Sequence, residues 1–160
     1  MLTVGQVRTK RELEYIMAKL ANLNIDFATP SHAKNDFYSK NIKLYTLRKE
    51  GIPVAICSVV RDNDFNYNAL KRMVVLDAEN RGKGYARHMT ANIVRKQNGD
   101  CGCTPWITNK SCQKMLASLN FEYQYTFNQI WTFWKIKKII LDNLPKVWYN
   151  LIRKRKENTQ

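Results

Sequence analysis

A chain of 160 residues, 44% hydrophobic and 25% charged, has the length of one domain with a real core and is too apolar for general disorder. Its 27 Lys and Arg against 13 Asp and Glu leave +14, which favours anionic partners, nucleic acid first and an acidic membrane surface second. No secretory signal is legible at Met1–Val4, and no run approaches the roughly eighteen apolar residues of a membrane span, so the expectation is a cytoplasmic protein not integral to a membrane.

Thr3–Val7 reads as a first strand. Thr9 and Glu12 have capping-box spacing, and Leu13, Ile16, Met17 and Leu20 follow at helical intervals. Residues 22–41 are polar and irregular, with Pro30 as a breaker, and predict a loop holding a short helix. Ile42–Lys49 and Ile52–Val60 are β-rich runs joined at Glu50-Gly51, a hairpin. The turn Asp62-Asn63-Asp64 leads to a strand over Ala69–Leu76, then a glycine-containing loop and a helix over about 84–97. After Asn98-Gly99-Asp100, the pattern predicts a strand at Thr104–Thr108 and a helix at Lys110–Leu119. An aromatic hairpin of Phe121–Phe127 and Gln129–Ile136 then turns at Asn128. That order predicts an α/β chain, a mixed sheet with helices on its faces.

Cys57, Cys101, Cys103 and Cys112 are too few for a disulfide scaffold. Cys101-Gly102-Cys103 has no second pair to complete a zinc site, so no metal is expected.

The loop Arg81-Gly82-Lys83-Gly84-Tyr85-Ala86 carries the most chemistry. It lacks the Gly-Lys-Ser/Thr ending of a Walker loop. A dinucleotide fingerprint would need a small residue where Arg87 stands, and an acidic one near Thr104. Arg81, Gly84 and Ala86 fit instead the pattern Arg/Gln-x-x-Gly-x-Gly/Ala. Small residues there let backbone N–H groups approach a pyrophosphate at a helix N-terminus, with Arg81, Lys83 and Arg87 adding charge.

Across roughly residues 1–136 the sequence resembles the Gcn5-related N-acyltransferase (GNAT) family. Val74 to Gly84 is similar to the family's fourth strand running into its pyrophosphate loop. Asn109, Cys112, Leu116 and Asn120-Phe121 are similar to its downstream Asn-x-x-Ala-x-x-x-Tyr-x-x-x-Gly-Phe. The resemblance implies a mostly antiparallel sheet splayed between strands four and five, helices on both faces, and acetyl-CoA or another acyl-CoA as co-substrate. It also implies that Val74, Val75 and Leu76 pair with the pantetheine arm, that Asn109 reaches the same arm, and that the loop through Arg87 (Tyr85 and Ala86 included) holds the pyrophosphate.

Two family roles lack an obvious occupant. Leu116 stands where many members place a proton-donating Tyr, leaving Tyr123 and Tyr125 as candidate acids. Strict alternation puts Leu70, Arg72, Val74 and Leu76 on one face of the fourth strand and Lys71, Met73 and Val75 on the other, and neither carries a carboxylate. Asp36, His32, Asp62 and Asp64 are the remaining candidate bases. Arg72 suits an anionic acceptor, or an internal ion pair.

The expected activity is direct acyl transfer to an amine. Alternatives are base modification on DNA or RNA, since Leu70-Lys71-Arg72 loosely resembles base-modifying relatives in phages, and a non-catalytic CoA-binding module. Residues 137–160 form a separate basic, amphipathic extension, expected as two short helices broken at Pro145. From Lys135 to Glu157, eight basic residues face only Asp142 and Glu157, a net of +6 and a candidate nucleic-acid surface.

Overall fold

The computed structural model describes residues 1–138 and, beyond them, Lys146, Trp148, Asn150 and Leu151. The elements are β1 (Leu2–Gln6), α1 (Lys10–Leu23), α2 (Pro30–Tyr38), β2 (Ile42–Lys49), β3 (Ile52–Asp62), β4 (Tyr67–Val75), α3 (Tyr85–Lys96), β5 (Cys101–Cys103), α4 (Lys110–Ser118), β6 (Glu122–Phe127) and β7 (Trp131–Ile136). A single 3-10 turn at Ala78–Asn80 leads into the glycine loop.

The strands form one sheet in the order β1-β2-β3-β4-β5-β7-β6, antiparallel except between β4 and β5. One face carries α1 and α2 over a core of Leu13, Ile16, Leu20, Leu44, Ile56, Val74 and Leu76. The other buries Leu47, Leu70, Met89, Ile93, Leu116 and Phe121, among others, beneath α3 and α4. Each helix thus turns an apolar stripe inward, as the spacing of those residues requires.

Local chemistry explains most boundaries. Thr9 caps α1 by accepting from the Glu12 N–H at 3.2 Å. The expected reciprocal bond is replaced, because Glu12 is taken by the Arg48 guanidinium at 2.6 and 2.7 Å. Pro30 does not break the 22–41 segment; it opens α2 at its first position, where a missing N–H costs nothing. Glu50 and Gly51 both adopt positive φ, the turn that matches the twist of a two-residue hairpin. Asn128 and Gln129 do the same between β6 and β7, and Asn120 takes φ +66 after α4.

The strand expected at Thr104–Thr108 lies instead at Cys101–Cys103. Pro105 has no N–H to donate, and its carbonyl is used by the Thr132 backbone N–H and hydroxyl. Among the described residues no helix is long and apolar enough to cross a membrane. The two short helices expected about Pro145 fall mostly outside the described residues, with only Lys146, Trp148, Asn150 and Leu151 described, in helical conformation, and the basic cluster Arg153–Lys156 falls outside them altogether. Trp148, from that segment, is fully buried in the α3-side core and donates its indole N–H to the Leu119 carbonyl at 2.8 Å.

Candidate active site

Pairing of β4 with β5 covers only Asn68–Leu70 against Cys101–Cys103. Beyond Leu70 the two strands part, and Met73, Val74 and Val75 turn their free edge to a cleft of about 600 Å³. The wall opposite comes from α4, through Asn109, Ser111, Cys112 and Met115; the mouth comes from the loop leading into α3. Ile25 and the 54% exposed Phe27 close one side.

The loop is shaped by its glycines. Gly82 and Gly84 have φ of +76 and +79, and a Cβ at either would project into open space, so conformation rather than crowding selects glycine. Gly84 caps α3 without a side chain, so no capping group covers the first N–H groups of that helix. Arg81 and Arg87 border the same space. The buried Arg87 Nε has no hydrogen-bond partner among the described residues, an N–H awaiting an acceptor. Small residues, helix-end N–H groups and two guanidiniums fit a pyrophosphate, and the long apolar remainder of the cleft fits an extended arm.

Nine residues expected at the cofactor border the cleft: Val74, Val75, Arg81, Gly82, Gly84, Tyr85, Ala86, Arg87 and Asn109. Leu76 and Lys83 do not. Leu76 is buried with α1 and α2, its N–H given to the Val54 carbonyl at 2.9 Å; the Lys83 ammonium turns to Asn80 at 3.3 Å. Asn109 also caps α4, its Oδ1 accepting from the Cys112 N–H at 3.1 Å. Cys112, named only as part of the downstream motif, and Met115 were given no place at the site, although they follow Asn109 at intervals of three and so share its helix face. Leu116 is fully buried and does not border the cleft.

Strict alternation fails along β4. Ile56 pairs with Val74 but Ser58 pairs with Lys71, so Cys57 alone faces both Arg72 and Met73. Arg72 absorbs this bulge at φ +52, a conformation uncommon for a long side chain. Leu70 therefore sits in the α3-side core, while Val74 and Leu76 sit in the other.

The bulge aims Arg72 at Asp36 of α2. Its Nε donates to Oδ2 at 2.7 Å and its Nη2 to Oδ1 at 2.8 Å, while the Ser58 hydroxyl donates to Oδ2 at 2.5 Å. The structure thus joins Arg72 and Asp36 as a bidentate ion pair, with Asp36 4% exposed. His32 is occupied too, its Nδ1 accepting from the Thr29 N–H at 3.0 Å in a capping box; Asp62 accepts from the Phe65 N–H at 3.0 Å. Tyr123 and Tyr125 are half exposed, and neither borders the cleft.

Burial raises the Cys57 thiol pKa and pushes that of Cys101 up to about 12. Cys112 moves the other way, held below the ordinary thiol range by a hydrogen bond from Cys103, whose own pKa rises in exchange.

No protein-family model matches the sequence, and a search of curated proteins finds no match. Solved structures do match. A GNAT-family acetyltransferase from Bacillus cereus superposes with a TM-score of 0.72 at 15% identity, over 88% of this chain and 99% of that one. The ribosomal-protein-S18-alanine N-acetyltransferase from Escherichia coli gives 0.68 at 13%, over 91% and 99%. An acetyltransferase from Thermus thermophilus gives 0.67 at 12%, over 86% and 97%. At such identities the likeness concerns the backbone, and the chain has the fold of the Gcn5-related N-acetyltransferases.

Proposed function

We propose that this chain is an N-acyltransferase that moves an acetyl or related acyl group from acyl-CoA to an amine by direct transfer. The observation that carries the reading is the cleft at the parting of β4 and β5, headed by the left-handed glycines and the buried, unpaired Arg87 Nε. Its GNAT-type fold, and the naming of its structural neighbours as acetyltransferases, support it.

In this reading the N–H groups from Gly82 to Ala86, with Arg81 and Arg87, hold the pyrophosphate. The open edge of Met73–Val75 and the side chain of Asn109 align the pantetheine arm. Acyl-CoA supplies a thioester carbonyl activated for attack. An aliphatic amine, with an ordinary pKa of about 10.4, must first lose a proton, whereas an amine conjugated with an aromatic ring attacks already neutral. The neutral nitrogen then bonds to the carbonyl carbon and gives up one N–H proton, the C–S bond breaks, and the departing thiolate is protonated, so that amide and free thiol result. Asp36 accepts three hydrogen bonds, so we assign it and Arg72 to positioning the acceptor side of β4, with the base drawn from solvent.

Calorimetry with acetyl-CoA tests the cofactor half directly. Arg81→Ala combined with Gly84→Glu should abolish binding, because a carboxylate would enter the pyrophosphate position. Gly84→Ala serves as the control for strain at positive φ. Unchanged affinity in the folded double variant would remove the reading.

A further inference from the structure

The sheet face that carries α1, α2 and the Asp36–Arg72 pair continues across β5, β7 and β6, and there it stays open to solvent: Tyr125 is 52% exposed. Register identifies what this part displays. Cys101 and Cys103 point into the α3-side core, so Gly102 between them points the opposite way, beside Ala69 of β4. Tyr67 lies two residues from Ala69, and Phe133 is the cross-strand partner of Tyr125.

These side chains make a continuous row. Tyr67 and Phe133 meet at 5.3 Å between ring centroids, Phe133 and Tyr125 at 5.4 Å, Tyr125 and Phe127 at 6.1 Å. Gly102 makes the first contact possible. A Cβ there would stand 2.7 Å from the Tyr67 ring and 2.8 Å from that of Phe133, so the rings close over the bare backbone of β5.

An aromatic row costs solvation unless something stacks on it, and the core does not need it, since Cys101, Cys103 and Ile136 are buried on the other face. Lys71 and Lys135 lie on the same face as the row by register, with Ser58 and Gly102 opposite them; Lys135 pairs with Asp100 at 3.7 Å, and Lys71 is exposed. Asp62 is engaged in capping Phe65, and Asp100 by Lys135. Spaced rings from neighbouring strands, the exposed Lys71 and a chain of +14 form a surface suited to single-stranded nucleic acid, because every base has a face to stack and every linkage carries a negative charge. Along β4, Ala69 lies roughly 13 Å from Met73 at the cleft.

We infer that the row Tyr67–Phe133–Tyr125–Phe127 is a stacking platform for the bases of a single-stranded nucleic acid, and that the acceptor amine is carried by a nucleobase presented from it. This rests on the acyl-transfer reading for the reaction, but not for the binding.

The test is titration of the full chain with fluorescein-labelled 12-nucleotide oligo-dT and with a duplex of equal length, both at low salt, alongside calorimetry with acetyl-CoA. The single strand should bind at least about tenfold more tightly than the duplex. Tyr125→Ala and Gly102→Ala should each weaken it by about tenfold, within the range that removing one stacking ring produces. Tyr125→Phe, which keeps the ring, should bind as the parent does, and acetyl-CoA affinity should stay constant throughout. Equal affinity for the two nucleic acids, or unaltered single-strand binding in both Tyr125→Ala and Gly102→Ala, overturns the platform. So does size-exclusion chromatography in which Tyr125→Ala dissolves a dimer without affecting the oligonucleotide, which would make this face a contact between copies. Intact oligonucleotide binding with no acetyl-CoA binding would instead remove the acyl-transfer reading and, with it, the assignment of the acceptor.

Discussion

The two halves of β4 are built from different materials. From Met73 to Val75 the strand offers backbone, an edge that β5 has left, continued by glycines that border the same cleft. From Tyr67 to Arg72 it offers side chains: a ring that meets Phe133, and a guanidinium clamped on Asp36. A backbone site constrains which residues can form it, since φ near +79 all but demands glycine. A side-chain site assembled from α2, β3, β4, β5, β6 and β7 imposes no spacing on the chain. The first kind can be read as a motif; the second becomes visible only when the sheet is folded.

Asp36→Ala separates the halves most strongly. It would leave the Arg72 guanidinium without its carboxylate and Ser58 without its acceptor. Breaking a buried pair costs about 3–5 kcal/mol, and the 22% exposure of the Arg72 side chain argues for about 3, since part of the charge can reach water. Urea denaturation should show that loss while acetyl-CoA affinity stays within about twofold, because the cleft half of β4 is held separately, through Ala55, Ile56 and the Val54 carbonyl. A comparable fall in both quantities would mean the two halves are one unit.

What the sequence disclosed follows the same division. The order of elements, both positive-φ hairpins and the glycine loop were legible because each rests on local rules. The bulge at Arg72 was not, since strict alternation was the only rule available and it placed Leu70 on the wrong face. Arg72 and Asp36 stood among the candidates, yet nothing in the chain said that they meet, 36 positions apart. Tyr123 and Tyr125, candidate acids by their place after α4, are half exposed and away from the cleft, because the hairpin that carries them forms the sheet's outer edge.

The ring row and the basic C-terminal cluster should respond differently to salt. Stacking is nearly insensitive to salt, whereas contacts between charges and phosphates release counterions. Neutralising Arg153, Lys154, Arg155 and Lys156 should therefore flatten the slope of log K against log salt for a single strand, by at most about 2.8 if all four meet phosphates. That corresponds to roughly fiftyfold between 50 and 200 mM salt. Tyr125→Ala should lower affinity while keeping the slope. A steep change of slope from Tyr125→Ala would show that the ring positions charges rather than bases.

The smallest expected effect lies in the cleft itself, at Cys112. Three of the four cysteines are buried, and Cys112, the exception, borders the cleft with its thiol accepting from Cys103. That bond favours the thiolate, so the pKa of Cys112 lies below the ordinary value, whereas burial holds Cys57 and Cys101 above it. Thiolate is the reactive form, so alkylation by iodoacetamide should proceed first at Cys112 and should persist as pH falls below about 8.5, where an unperturbed thiol slows. Replacing the donor by Cys103→Ala should move the midpoint of the rate profile upward, toward the ordinary range. Saturating acetyl-CoA should slow the reaction about tenfold by covering the wall that Cys112 shares with Asn109 and Met115; mass spectrometry of the labelled peptide measures both the rate and the site. Labelling that acetyl-CoA leaves untouched would place the bound cofactor away from α4, and would confine the site to the β4 edge and the glycine loop.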